Sequence, residues 1–140
     1  MHMKKLYMFI AICAAAVFAS SCSNNNGPEP SAIVTDFYKD VTTMKFDNAA
    51  KHCVEGALDE YINGYKGAFE ALQAKDKKLA AKVQEKAAQT TITIGETIKE
   101  KDVRTVTFTL TDDSGNTKEK IAVLKKVEKE WKIAEIKDKQ

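Results

Sequence analysis

Acid–base chemistry needs ionisable side chains held close together, and the sequence offers few such pairs. Asp36 and Asp40 stand four residues apart, so on a helix they would share one face and could split their pKa values. The same spacing is typical of a solvated face beside Lys39, which is the interpretation we favour. His52 and Cys53 are adjacent, and neighbours on a helix point about 100° apart, so they cannot form a local catalytic pair.

Cysteine and histidine are too scarce for a metal centre or a disulfide in the folded domain. Of the three cysteines, Cys13 and Cys22 lie near the N-terminus and only Cys53 lies farther along. We interpret Cys53 as a small core residue and His52 as a helix-surface residue. The sequence therefore predicts no zinc site, no internal disulfide and no cofactor.

Aromatic side chains are the best candidates for lining a pocket: Tyr38, Tyr61, Tyr65 and Trp131. A buried phenol needs a hydrogen-bond partner, and a cavity can supply a ligand or a water molecule. The alternative is an aromatic core in which the hydroxyl groups reach the rim and the tryptophan is packed rather than offered to a ligand.

The N-terminus has the pattern of a secretory signal over residues 1–21. Lys4 and Lys5 precede an uncharged run, residues 6–19, and small residues follow it. A basic start, a short apolar run and a small-residue exit are typical of such signals. The run is shorter than the roughly 20 residues that a membrane-spanning helix needs.

The segment Ala19-Ser20-Ser21-Cys22 resembles the lipobox of bacterial lipoproteins, with Ala19 in place of the usual leucine. The resemblance implies that Cys22 is acylated, with palmitate-type chains, and becomes the first residue of the mature chain. Two or more acyl chains anchor a protein stably in a membrane. Residues 22–30 are then the lipidated cysteine and a flexible tether. Ser23 stands where, by analogy with that family, an aspartate would favour the inner membrane, so we expect a cell-envelope protein anchored in the outer membrane.

Hydrophobic spacing predicts a helical first half of the domain, which we place at residues 31–140. Ser31 is a plausible N-cap for a helix that runs to Met44, and Asp47 for a short one that stops before Gly56. A longer helical region, of one or two pieces because Asn63-Gly64 interrupts it, begins near Ala57. Its expected buried side comprises Leu58, Tyr61, Ile62, Tyr65, Phe69, Leu72, Leu79 and Val83.

From residue 90 the apolar residues alternate with polar ones, which predicts four strands near 90–98, 103–110, 120–127 and 131–136. A two-residue turn at Gly115-Asn116 would pair Leu110 with Ile121 and Phe108 with Val123. A turn at 99–101 would pair Ile94 with Val106 and Ile92 with Phe108. The prediction is an α+β fold in which N-terminal helices pack on one face of a four-stranded antiparallel sheet. That face gathers Ile92, Ile94, Val106, Phe108, Leu110, Ile121, Val123, Trp131 and Ile133.

This order of elements, and the ending LKKVEKEWKI (124–133), resemble the NTF2-like (cystatin-like cone) superfamily, more narrowly the DUF4878-type, lumazine-binding-like bacterial lipoproteins. There, a helix carrying Phe-Tyr opens the domain and a Trp-Lys strand closes it; here these are Phe37-Tyr38 and Trp131-Lys132. Lys129-Glu130 replaces the glycine usual before that strand. The resemblance covers residues 31–137 and implies a cone-shaped cavity. Some members use it as a bare binding pocket, and others are isomerases or dehydratases with an Asp or His base and a Tyr donor.

Two surface features follow from the same register. Glu96 faces Arg104 across the first hairpin, which predicts an ion pair at the sheet's end; a charged feature at the mouth of the cone is the alternative. The opposite face carries an apolar patch, Ala122, Leu124, Ala134 and Ile136, on which we predict a homodimer.

Nothing in the charge balance suggests a nucleic-acid partner, and we expect none. The chain has 22 basic and 20 acidic residues, and Lys4 and Lys5 are the only charges before Cys22, so removing them leaves 20 against 20. Our first hypothesis is a non-catalytic envelope module that binds an unknown small molecule or envelope protein. An isomerase- or dehydratase-type enzyme and a structural domain with a filled cone are the alternatives. An acid or histidine within reach of a tyrosine inside an enclosed cavity would separate them.

Overall fold

A computed structural model describes residues 28–140 of the chain. Within this range, four helices precede four strands: α1 (Pro30–Thr42), α2 (Phe46–Lys51), α3 (Asp59–Lys75), α4 (Lys77–Ala87), β1 (Thr91–Glu100), β2 (Val103–Thr111), β3 (Thr117–Val127) and β4 (Glu130–Asp138). The α+β order predicted from the sequence is confirmed. The predicted signal segment 1–21 and the candidate lipidation site Cys22 lie outside the described residues.

Helix α1 begins one residue before the predicted N-cap. Pro30 occupies its first turn, where the missing N–H costs nothing, and Glu29 precedes it in an extended conformation. Ser31 is therefore a helical residue and not the cap. The apolar stripe of α1 is buried as its spacing predicts, at Ile33, Val34, Phe37, Tyr38 and Val41.

The long helical region is two helices, but the break is not at its glycines. Gly64 lies within α3, whereas Asp76 is extended (φ −155°, ψ 97°) and separates α3 from α4. The Asp76 carboxylate accepts a hydrogen bond from the Leu79 backbone N–H at 3.1 Å, which caps α4. A local side-chain cap thus determines where the helix stops and restarts.

The sheet is an antiparallel meander in the order β1-β2-β3-β4, with the helices on one face. The short segment after α2 forms a parallel bridge to β4 and so adds to the sheet beside that strand. The Ile133 N–H donates to the His52 carbonyl at 2.9 Å, and the Val54 N–H donates to the Ile133 carbonyl at 2.8 Å. This segment partly covers the free edge of β4, an edge that otherwise offers unpaired backbone groups.

The β2–β3 register differs from the predicted one by an odd number of residues. The loop spans 112–116 rather than a two-residue turn, and Thr111 pairs with Thr117. Phe108 consequently faces Lys120, and Val106 faces Ala122. A register change of odd length moves every side chain of a strand to the other face. Ile121 and Val123 therefore lie on the outer face, which corrects their predicted place in the core.

The same change overturns the predicted dimer patch. Ala122 and Leu124 are fully buried in the core, and Ile136 packs against it. Ala134 is half-buried at the β3–β4 irregularity, where Val123 pairs with Glu135 and Leu124 with Ile133. The outer face carries a different apolar set: Ile98, Val103, Ile121, Val123 and Val127.

The β1–β2 hairpin corrects its register with a bulge. Glu100 pairs with Val103, and an irregularity between Ile94 and Thr97 then shifts the ladder, so that Ile94 pairs with Phe108 rather than with Val106. The partner of Ile94 thus differs from the predicted one by two residues, an even number, so Ile94 still packs against the core as predicted. Within the bulge, the Glu96 N–H donates to Thr107 Oγ1 at 2.8 Å.

Candidate functional site

A cleft of about 510 Å³ opens between the helices and the β2–β3 end of the sheet. Its volume falls within the range of about 300–1,000 Å³ that small-molecule sites occupy. Apolar and aromatic side chains dominate its wall: Tyr38, Val41, Met44, Phe46, Tyr65, Ala68, Phe69, Leu72, Val83, Ala87 and Leu110. A polar rim completes it, formed by Thr42, Thr90, Asp112, Asn116, Thr117 and Lys118.

The cleft exists because α3 and α4 diverge from the sheet. Helix α4 packs mainly against α3, and Ile62 is the only buried residue of α3. Three residues of the predicted buried stripe are therefore exposed instead, Tyr65 by 46%, Leu79 by 45% and Val83 by 40%. Two of them, Tyr65 and Val83, line the cleft and leave apolar surface for a ligand to cover.

The candidate tyrosines form a connected group at the floor of the cleft. The hydroxyl oxygens of Tyr38 and Tyr61 lie 2.7 Å apart, and the Tyr61 and Tyr65 rings are 5.2 Å apart between centroids. Tyr38 and Tyr65 line the cleft, whereas Tyr61 supports them from behind. Burial raises the pKa of Tyr38 and of Tyr61 well above the ordinary tyrosine value, so both phenols are neutral hydrogen-bonding groups.

The one carboxylate on the rim is committed to its own loop. Asp112 Oδ1 accepts hydrogen bonds from the Ser114 and Asn116 N–H groups at 2.9 Å each, and Oδ2 accepts from Asn116 Nδ2 at 3.1 Å. These bonds, above all those from Asn116, lower the pKa of Asp112. An anion held in this way shapes the β2–β3 loop and is a poor general base.

The predicted Glu96–Arg104 ion pair does not form, because the bulge moves Glu96 out of register. Arg104 lies opposite Lys99. Its guanidinium stacks on the Trp131 ring at 4.4 Å from the centroid and donates to the Lys101 carbonyl at 2.9 Å. Trp131 is therefore a buried platform for Arg104 and lies outside the cleft wall.

Histidine and cysteine occupy structural positions near β4. His52 Nε2 lies 3.1 Å from Asp40 Oδ2, which links α1 to the end of α2, so His52 is half-buried rather than a free surface residue. Asp36 is exposed. The Cys53 thiol is buried and donates to the Ala49 carbonyl at 3.6 Å. Burial raises its pKa to about 12, so the reactive thiolate is scarce at neutral pH.

Sequence reasoning missed the polar rim and the role of the β2–β3 loop. The polar run TDDSGNTK (111–118) signals a turn, but not that its flanks border a cavity. Over residues 28–140, the His, Cys, Asp and Glu side chains form no group of three or more that could hold a metal ion. No helix of that described range is both long and apolar enough to cross a membrane.

Comparisons with known proteins identify the fold. No protein-family model matches the chain, and no curated protein matches it. Among solved structures, the chain is similar to a crystal structure from Campylobacter jejuni described as a candidate NTF2-like transpeptidase, with 19% sequence identity and a TM-score of 0.50. The match covers 76% of this chain and 97% of that one. Together with helices followed by a four-stranded antiparallel sheet, this likeness shows that the chain has the NTF2-like fold.

Proposed function

We propose that this protein is an envelope lipoprotein whose NTF2-like domain is a non-catalytic module that binds a small molecule in the cleft. The observation that carries the binding role is the apolar cleft of about 510 Å³, open along a wall that includes the exposed Tyr65 and Val83. A fold with a filled cone, our structural alternative, would not leave such a space. The narrower likeness to DUF4878-type lipoproteins belongs to the same proposal.

The chemistry of the cleft favours binding over catalysis. An isomerase or dehydratase needs an acid or base poised to exchange a proton with the substrate. In the part of the chain that the structure describes, Asp112 is the only carboxylate on the cleft, and its oxygens already accept hydrogen bonds from the loop. The phenol of Tyr38 is bonded to Tyr61 and resists ionisation because it is buried.

We do not propose for this chain the transpeptidase activity that the description of the Campylobacter jejuni structure names. A transpeptidase reaction of the covalent type needs an activated nucleophile. Cys53, the one thiol among residues 28–140, is buried, and burial raises its pKa to about 12. Its position in the core supports a packing role.

Two alanine-to-tryptophan substitutions on helix α3, one inside the cleft and one outside it, test binding in the cleft. We would titrate the soluble chain from Ser23 with N-phenyl-1-naphthylamine, a neutral apolar dye that fluoresces in apolar surroundings. Ala68 lines the cleft and Ala71 is exposed elsewhere on α3. We expect Ala68→Trp to fill the cleft and abolish saturable binding, and Ala71→Trp to bind as the unchanged protein does. Equal binding by both variants would place the dye outside the cleft and contradict the proposal.

A second pair of variants tests the lipid anchor. The proposal predicts that labelled palmitate is incorporated in an expressing Gram-negative bacterium and that Cys22→Ala abolishes both the label and membrane retention. Cys13→Ala, within the predicted signal, is the matched control and should retain both. Label that survives in Cys22→Ala would refute acylation at this residue. Selective fractionation of the two membranes then tests the outer-membrane location.

A homodimer through the sheet remains part of the proposal, on the outer-face residues Ile98, Ile121 and Val123. Exposed apolar patches on a sheet are common interfaces. Sedimentation of the soluble chain at high micromolar concentration should show a dimer that Val123→Lys disrupts. A monomer at that concentration would exclude this dimer.

A further inference from the structure

The cleft separates apolar from polar lining in a way that suits an amphiphile. Its interior is bounded by Val41, Met44, Phe69, Leu72, Val83 and Leu110, which offer no hydrogen bond from their side chains. A ligand section buried there must therefore be hydrocarbon, because an unpaired polar group in such a place is costly. Apart from the hydroxyl groups of Tyr38 and Tyr65 in the wall, the polar residues of the cleft form its rim: Asp112, Asn116, Thr117 and Lys118 at the β2–β3 loop, Thr90 just before β1 and Thr42 at the end of α1.

The rim residues that remain available are mainly donors. Asp112 and Asn116 bond one another across the loop, so the Asp112 oxygens are occupied. Thr90 lines the rim, and no side-chain hydrogen bond of its own occurs within residues 28–140. Its hydroxyl group can donate to a ligand atom that accepts. Thr117 also borders the cleft, but its side chain has the parity of the outer face, because the next residue, Lys118, pairs with the inward Leu110.

Lys118 supplies a positive charge at the same place. It lies opposite Leu110 in the β2–β3 ladder and lines the cleft. Its neighbour on the inner face, Lys120, is held by Asp138 with Nζ 2.7 Å from Oδ1. By contrast, no carboxylate lies within ion-pair distance of the Lys118 ammonium in the described range. Asp138 is close enough to be affected by Lys118: its pKa is lowered by the Lys120 hydrogen bond and, more weakly, by the Lys118 charge, but its Oδ1 is bonded to Lys120. Asp112, the carboxylate on the rim, is turned into its loop.

From these observations we infer that the ligand of the cleft is an acyl-chain amphiphile with an anionic head group, a carboxylate or a phosphate, held at the rim by Lys118. The chain covers the exposed faces of Tyr65 and Val83, and the head accepts hydrogen bonds from Lys118 and Thr90. The inference rests on the proposed binding function and adds the ligand class. A head group with several acceptor oxygens and a charge forms stronger bonds to an ammonium than a hydroxyl does.

Four ligands with one chain length and different heads test this inference. Calorimetric titration of the soluble chain from Ser23 would use laurate, dodecyl phosphate and dodecylamine below their micelle concentrations and dodecanol below its solubility limit. We expect the better of the two anions to bind about tenfold more tightly than dodecanol, as one charge-assisted hydrogen bond provides, and dodecylamine to bind most weakly. The ratio of laurate to dodecyl phosphate affinity distinguishes a fatty acid from a phospholipid-type head.

Lysine variants locate the head group. Lys118→Gln should reduce the anion preference to near parity with dodecanol while leaving dodecanol affinity unchanged. Lys125→Gln, on the same strand but on the outer face, is the matched control and should keep the preference. If dodecanol and the anions bind equally, or if Lys118→Gln keeps the preference, the inference is overturned while binding in the cleft stands. If none of the four ligands binds and the neutral dye also fails to bind, the proposed function itself is wrong.

Discussion

The hydroxyl groups of Tyr38 and Tyr61 lie 2.7 Å apart and join α1 to α3 at the floor of the cleft. Tyr38 is only 3% exposed, so its phenol depends on this one partner among the described residues. The bond fixes the distance between the helix that packs on the sheet and the helix that diverges from it. The width of the cleft therefore depends on two residues that are far apart in sequence.

Removing one hydroxyl should cost more than its own bond. We expect Tyr61→Phe to lower the free energy of unfolding by about 1–3 kcal/mol, because it leaves the buried Tyr38 hydroxyl unpaired. The double variant with Tyr38→Phe should lose less than the sum of the two single variants, since both polar groups then leave together. Urea unfolding followed by the fluorescence of Trp131, the single tryptophan, measures all three. Additive losses would mean that the two hydroxyls do not stabilise each other.

Stability should fall in alkaline solution, beginning with Cys53. Burial raises the pKa of its thiol from 9.0 to about 12, so the unfolded chain releases this proton at lower pH than the folded one. Its contribution is complete below pH 9 and is lost as the pH rises toward 12, by up to about 1.4 kcal/mol per pH unit. Tyr38 and Tyr61, whose pKa values burial also raises, add a loss that starts near pH 10. Urea midpoints from pH 8 to 11 should fall less steeply between pH 9 and 10 in Cys53→Ala than in the unchanged protein.

Two glycine-to-alanine substitutions should act in opposite directions. A Cβ on Gly95 would lie 2.8 Å from Thr107 Oγ1 and 3.2 Å from the Thr107 carbonyl, so we expect Gly95→Ala to destabilise the β1 bulge by about 1–3 kcal/mol. A Cβ on Gly64 in α3 would meet no atom within 4 Å, so Gly64→Ala should stabilise by about 0.5–1 kcal/mol. Thermal unfolding of both compares them directly. A harmless Gly95→Ala would indicate that the bulge can relax away from Thr107.

The β3–β4 turn can be improved. Glu128 and Lys129 both have positive φ, 50° and 72°, a conformation that costs energy for side chains other than glycine or asparagine. Replacing them with Asn-Gly should therefore stabilise the protein by about 1 kcal/mol, because this pair favours the required turn. Urea unfolding measures the gain, and no gain would mean that the native side chains already compensate for the strain.

Neighbouring residues of β3 should respond very differently to truncation. Leu124 is fully buried, so Leu124→Ala should cost about 2–5 kcal/mol. Val123 lies on the outer face and is half-buried, so Val123→Ala should lower the free energy of unfolding by well under half of that amount. The comparison, made below the concentration at which a dimer would form, tests the corrected register. A larger loss of stability in Val123→Ala than in Leu124→Ala would support the predicted register, in which Val123 faces the helices.

The candidate site could be predicted only in its chemical type. Tyr38, Tyr61 and Tyr65 are pocket-lining candidates because a buried phenol needs a partner, and the structure places Tyr38 and Tyr65 in the wall of the cleft. Trp131 was a false candidate because its partner is Arg104, which lies 27 positions away and on another strand. The rim residue Lys118 escaped prediction, because its place on the inner face depends on a loop of odd length. Nothing local to a strand reveals that parity.

By itself, the sequence determined the classes and order of the elements, because local periodicity decides which side of a helix or strand is apolar. The stripe of α1 and the alternation in β2 needed no tertiary information. Only the tertiary structure decided which face of β3 packs inward. The Asp112 carboxylate bonds to backbone N–H groups of its own loop, and the resulting five-residue loop shifts the β2–β3 register by an odd number of residues. The tertiary structure alone decided that α4 turns away at Asp76 and leaves an open cleft, because a cavity arises where packing between distant segments stops. The resemblance of residues 19–22 to a lipobox rests on the sequence alone, and the Cys22 experiment tests the acylation that we propose from it.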